Sequence, residues 1–298
     1  MRLQRAVDKI NLTEITVTDK HDNKKTYGDG KNTEKTPTKV KLRLDVKDVV
    51  RKPKEKSEDD GGITVLYEDN HLLVVLKPQN IPTQADDSGD PDMLSMLKKY
   101  LVEKYNKPGD AYLGLVHRLD RPTGGVMVFA KTSKAASRLC EQIKDLDSEF
   151  EKTYLAVVSG RPSRTGRVEH YLVKDEKANT VSVAPSSLEG AKKAVSIIRV
   201  EQEKSGLSLV SVQLLTGRSH QARVQLKALG SPIAGDVRYA GDKLVKSPHL
   251  ALWAYKLVFM HPVTGEKLKF LALPPDEFPW NMFDTEAFAD TVRPMGMR

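Results

Sequence analysis

The feature that most restricts this chain is a nine-residue run, His117-Arg118-Leu119-Asp120-Arg121-Pro122-Thr123-Gly124-Gly125. It lies between two apolar segments, Tyr112-Leu113-Gly114-Leu115-Val116 before it and Val126-Met127-Val128-Phe129-Ala130 after it. A buried strand cannot carry a carboxylate, two guanidiniums and an imidazole through its middle, so the run is expected in a loop between two core strands. Pro122 ends a ladder, and Gly124 and Gly125 permit a turn or a close backbone approach. Charge at a loop tip is by itself usually a solvated hairpin, with Asp120 paired to a neighbouring arginine. A second cluster weighs against that reading: Thr216-Gly217-Arg218-Ser219-His220-Gln221-Ala222-Arg223, at another strand-to-helix turn. An arginine there can meet a carboxylate and favour its charged form.

The remaining pattern fills in a core. Residues 63–67 and 71–76 read as strand, turn, strand, ended by Lys77-Pro78. Residues 93–105 carry Met93, Leu94, Leu97, Leu101 and Val102 at helical spacing. Ser133 offers an N-cap to a helix whose apolar stripe is Ala136, Leu139, Cys140 and Ile143, which makes Cys140 a core residue rather than a nucleophile. Strands are expected at 152–158 and 207–215, a helix over about 219–229, and a hairpin at 252–259 and 268–273. The class is α+β, with a large mixed or mostly antiparallel sheet flanked by helices rather than a doubly wound one.

Residues 1–62 stand apart from a main domain at 63–298. Within residues 1–60, sixteen Lys and Arg oppose twelve Asp and Glu, which supplies half of the chain's net charge of +8. Short strands are expected within 10–17 and 40–50, and 52–62 reads as a solvated linker, so the segment is an extension with an RNA-contacting role as the alternative. The single cysteine allows no internal disulfide. With no secretory leader or bilayer-spanning run, this points to the cytoplasm, and a monomer is the default.

Elimination narrows the chemistry. The histidines are scattered and no paired-Cys or His-Glu-x-x-His spacing occurs, so no metal is expected. No phosphate loop or dinucleotide fingerprint occurs, so no nucleotide cofactor is expected. Ser95-Met96-Leu97-Lys98 matches the acyl-enzyme Ser-x-x-Lys but lacks that family's partner motifs. What remains is a cofactor-free site built on a loop carboxylate, a strand tyrosine and the second cluster.

At these residues the chain resembles the RluA-type pseudouridine synthases, across about 63–280. Residues 63–78 resemble the family's opening hairpin, His117-Arg118-Leu119-Asp120 with Thr123 and Gly125 its catalytic loop, and Lys152-Thr153-Tyr154 its tyrosine strand. Thr216 to Gln221 with Arg223, then Gly230, Pro232-Ile233, Gly235-Asp236 and Tyr239, resemble its third motif.

The resemblance implies a fold with a central RNA-binding cleft and isomerisation of uridine to pseudouridine in RNA. Ribosomal RNA stands ahead of transfer RNA as substrate, and no cofactor is implied. Asp120 is implied as the catalytic carboxylate, as nucleophile or base, with Arg218 as its partner. Tyr154 is implied to stack on the uracil and shuttle the C5 proton. Arg118 is implied to fill the stack vacated by the flipped base. His117, Arg121, Thr123, His220, Gln221 and Arg223 complete the RNA-binding set, with His117 and His220 orienting loops and Thr123 shaping one. Two positions depart from the family pattern: Gly124 stands where many members carry Ser, and Gln225 where many carry His. The alternative function is an RNA-binding protein that keeps this fold without catalysis, which the presence of Asp120, Tyr154 and Arg218 argues against.

Overall fold

The computed structural model describes residues 63–285 except Leu146, residue 287, and three earlier strands. The chain divides into two compact units, residues 1–47 and 48–298. In the first, β1 (Glu14–Thr18) pairs antiparallel with β2 (Lys24–Gly28). The alternation at 41–46 and the linker at 52–62 lie outside the described residues. β3 (Val49–Arg51) adds in parallel to an edge of the second unit's sheet, so part of the segment read as an extension joins the main domain.

The second unit continues with β4 (Thr64–Glu68), β5 (Leu72–Lys77), α1 (Met93–Lys104), β6 (Gly114–Leu115), β7 (Gly124–Ala130) and α2 (Ser133–Lys144). There follow β8 (Glu151–Ser159), β9 (Gly166–Asp175), β10 (Thr180–Ala184), β11 (Lys192–Lys204), β12 (Leu207–Leu214), α3 (Gln221–Ala228), β13 (Leu252–Met260) and β14 (Lys267–Leu271). The strands form one sheet in the order β10-β9-β11-β12-β8-β13-β7-β5-β4. Its pairings are antiparallel except β13 with β7 and β14 with β3. β13 forks: Trp253 and Ala254 lie beside β7, and Lys256 to Met260 lie beside β14.

Both faces of the β5–β7 region are covered, which is why these strands read as continuous apolar runs. Leu73, Val75, Met127 and Phe129 share one core cluster with Met93, Leu97 and Leu101 of α1. Leu72, Val74, Val126 and Val128 share another with Ala135 and Leu139 of α2. The cap of α2 is Thr132, which accepts from the Ala135 N–H, rather than Ser133, and Cys140 is only half-buried. Strands β9, β10 and β11 are not expected from the sequence pattern. Among the described residues no helix is long and apolar enough to cross a membrane.

Candidate active site

The loop joining β6 to β7 is fixed by the glycine pair at its end. Gly124 lies opposite Trp253 and Gly125 opposite Ala254. A Cβ on Gly124 would stand 2.3 Å from Trp253 Cζ3, and one on Gly125 2.3 Å from the Ala254 carbonyl oxygen. Gly125 also has a φ of +121°, a conformation that glycine adopts freely. The missing side chains let β7 start against β13, whose opposite edge pairs with β8, the strand that carries Tyr154. At Gly124 the indole of Trp253 occupies the space a side chain would take. At Gln225 the buried amide accepts from Ser196 Oγ at 2.6 Å and donates to the Ala194 carbonyl at 3.2 Å, so it serves the packing of α3 on β11.

The loop is braced from below. Buried Lys77 donates through Nζ to the carbonyls of Thr123 (2.8 Å), Arg121 (3.1 Å) and Pro78 (2.8 Å). Thr83 Oγ1 donates to the Leu119 carbonyl at 2.8 Å, and the Thr123 N–H closes a turn on the Asp120 carbonyl at 2.9 Å. Burial pushes Lys77 down to about 7, against the pull of the Asp120 charge and with the help of Arg121.

Asp120, about a quarter exposed at 28%, meets the cation of a different arginine from the expected one. Arg223 Nη1 lies 3.7 Å from Asp120 Oδ2. Its Nε and Nη2 are held by the buried Asp236 at 2.8 and 2.7 Å, and its guanidinium carbon stands 4.9 Å from the centre of the Tyr239 ring. Burial opposes the charge on Arg223, but the bonds to Asp236 and the nearby Asp120 outweigh it. Arg218, expected as the partner, instead donates through Nε to the Lys193 carbonyl at 2.9 Å and stays exposed at the cleft. The cause is local. Gln221 Oε1 accepts from the Arg218 N–H, and His220 adopts a left-handed φ of 51°, so α3 begins only at Gln221. Residue 218 is thereby turned outward, and residue 223 falls on the buried part of α3.

The ten residues singled out from the sequence all line one cleft of about 880 Å³. Within it they are not equivalent. Tyr154 is buried, and burial followed by the Asp120 charge pushes its phenol well up, so it carries its proton at neutral pH. Arg118 is exposed. Arg121 is engaged by the Asn80 carbonyl, Ser88 and Asp90. Thr123 is buried and shapes the turn. Gln221 is also buried, and it spends its amide on Thr216, Val195 and Ser196. His117 Nε2 accepts from the Val128 N–H at 3.1 Å, and burial with the nearby Lys152 charge pushes it down to about 3, so it is neutral. His220 Nδ1 lies 2.6 Å from the Tyr239 hydroxyl, which accepts from the Val181 N–H of β10. Lys77, Asp236 and Tyr239 were given no role from the sequence. The signal for the last two was their place in the third motif.

Comparison with known proteins places the chain in a family. Residues 71–228 match the family model for RNA pseudouridylate synthases. The ribosomal large subunit pseudouridine synthase D of Zymomonas mobilis is 32% identical over 236 residues, covering 76% of this chain and 74% of that protein. An RNA pseudouridine synthase of Bacillus subtilis, itself uncharacterized, is 35% identical over 211 residues, covering 69% and 67%. Among solved structures, human RNA pseudouridylate synthase domain containing 4 superposes with a TM-score of 0.59 at 25% identity, covering 71% of this chain and 88% of that one. The chain belongs to the RNA pseudouridylate synthase family. It is an RNA pseudouridine synthase of the RluA type, and hence an isomerase.

Proposed function

We propose that the chain converts specific uridines of ribosomal RNA to pseudouridine, with Asp120 as the catalytic carboxylate. The observation that carries this reading is the cleft in which Asp120 is backed by Arg223 at 3.7 Å and shares its surroundings with the protonated phenol of Tyr154. The uracil is extruded from the RNA at a cost of a few kcal/mol, and Arg118 stacks into the gap it leaves. Asp120 acts at the ribose–uracil linkage, as nucleophile on the sugar or as base. The N1–C1′ bond breaks, and the freed base turns and bonds to the ribose through C5; the C5 proton passes to the Tyr154 oxygen as that hydroxyl gives its own proton to water, and N1 takes up one proton in exchange. Arg223 faces the carboxylate at 3.7 Å and holds it aimed, and Arg218 serves the RNA at the cleft mouth.

Ribosomal RNA is placed ahead of transfer RNA because relatives such as the Zymomonas mobilis protein carry ribosomal names. The same reading takes the protein as a cytoplasmic monomer, with 63–298 as the catalytic domain and 1–62 as an extension. Deleting residues 1–47, which spares β3, then leaves turnover intact. The test is tritium release from unmodified ribosomal and transfer RNA labelled at uridine C5, with Asp120→Asn as control. Release from ribosomal RNA by the wild type alone supports the reading. An Asp120→Asn variant as active as the wild type overturns the mechanism, and binding without release favours the non-catalytic RNA-binding alternative.

A further inference from the structure

Lys152 is the unexplained charge of the cleft. It sits two residues before Tyr154 on β8, and both side chains line the same cavity, as alternate residues of one strand do. The other lysines held inside this fold are matched: Lys77 by three carbonyls, Lys131 by Glu68 at 2.7 Å, Lys256 by Glu151 at 2.5 Å. Lys152 has no hydrogen bond or ion pair among the described residues. Its ammonium rests 5.8 Å from the Phe150 ring centre. On another side lies the bare Cα of Gly217, where an added Cβ would stand 3.4 Å from Nζ. Burial holds Lys152 below the ordinary lysine range. The neighbouring His117 is neutral and offers it no counter-charge.

Lys152 is half-buried, and a cation drawn partly out of water without an anion costs free energy that an anion arriving from outside recovers. The cleft around it is lined by Arg118, Lys174, Arg218 and Arg238 against Asp86 and Asp120, a cationic excess that suits a polyanion. The Asp120–Tyr154 end serves the base and its glycosidic bond. A lone ammonium, which demands no planar partner, suits a single phosphate oxygen. We infer that Lys152 binds one backbone phosphate of the RNA strand beside the flipped uridine. The inference rests on the proposed reading of this cleft as the RNA site.

The test measures affinity for an unmodified ribosomal RNA transcript over a range of salt, for the full-length wild type, Lys152→Met and Lys152→Arg. Thermal melting of each protein and tritium release are measured alongside. Lys152→Met is expected to bind about tenfold or more weakly, with the slope of log affinity against log salt reduced by about 0.7, and Lys152→Arg to keep the slope. Lys152→Met is also expected to melt no lower than the wild type, because removing an unpaired, half-buried charge does not cost the free protein a partner. Three results overturn the inference: an unchanged slope in Lys152→Met, whether or not turnover falls; a lower melting temperature accompanying the loss of binding; or a slope lost in Lys152→Arg. A wild type that binds no RNA fails the underlying reading instead, and the inference falls with it.

Discussion

Asp120 and Asp236 share one guanidinium. Asp236 holds Arg223 through two bonds of 2.8 and 2.7 Å, and the remaining Nη1 stands 3.7 Å from Asp120. The cation facing the cleft is therefore fixed from behind by a carboxylate that is itself 1% exposed. Asp236→Asn loses the charge and half of the bidentate grip, so Arg223 can swing. Because a displacement of about 1 Å costs on the order of 10²-fold in rate, kcat is expected to fall by that order with KM little changed. Arg223→Lys is expected to behave alike, since an ammonium cannot span both carboxylates. Arg218→Ala should act mainly on KM. Steady-state tritium release separates the two patterns, and a collapse of kcat in Arg218→Ala with Asp236→Asn unaffected would reverse the assignment.

Lys77 ties the catalytic loop down through the Thr123, Arg121 and Pro78 carbonyls. Lys77→Met leaves these without their donor, and each buried acceptor so stranded costs about 1–3 kcal/mol. A net loss of about 2–4 kcal/mol in urea unfolding is expected, with turnover lost although Asp120 is untouched. The pH signature is specific. The folded-state pKa of about 7 lies below the 10.5 of the free side chain, so between those values the unfolded chain holds more protons. Wild-type stability should therefore gain from this group as pH rises from 7 to 10.5, and Lys77→Met should lack that gain.

Why the loop, the tyrosine strand and the two helices beside β7 were legible, and Arg223's role was not, follows from the physics of each. β5 and β7 are buried on both faces, so their apolar runs announce them. The helical spacing of Met93, Leu97 and Leu101 is what packs α1 on that sheet. β9 and β11 present charged and half-exposed residues along most of their length, with Val168 and Leu172 the buried positions of β9, so neither alternation nor a run marks them. The choice between Arg218 and Arg223 turned on the left-handed backbone of His220 and on a buried carboxylate at Asp236, thirteen residues after Arg223. No local pattern encodes either. Lys152 looked like part of a motif, and only its missing partner shows it to be distinctive.

Gly124 supplies a test of packing. Trp253 stands where a side chain at 124 would go, with its Nε1 donating to the Ala272 carbonyl at 3.0 Å. Gly124→Ser is expected to destabilise by about 1–3 kcal/mol through overpacking. In a double-mutant cycle with Trp253→Leu the cost should shrink, leaving as obstacle only the flexible Gln79 side chain, whose Cγ would stand 2.9 Å from the added Cβ. Additive costs would show that Trp253 is not the obstacle.

Glu68 governs acid stability away from the cleft. Its carboxylate accepts from Lys131 and Lys104 at 2.7 Å, from the Tyr105 hydroxyl at 2.7 Å and from the Tyr100 hydroxyl at 3.0 Å, tying the end of α1 to β4 and to Lys131 beyond β7. Burial raises its pKa, but these bonds outweigh it and bring it from 4.5 to about 2. A carboxyl group so depressed stabilises the fold fully above 4.5 and loses that contribution as pH falls towards 2. Since Lys104 and Tyr105 are open to solvent, screening trims the contribution to about 2 kcal/mol. Glu68→Gln should therefore unfold in less urea at pH 7 by about that amount, and its stability should approach that of the wild type as pH is lowered from 4.5 to 2. Turnover at pH 7 should be unchanged, because Glu68 does not line the cleft. An acid-unfolding profile that keeps the wild-type slope in Glu68→Gln would show that other carboxylates control this window.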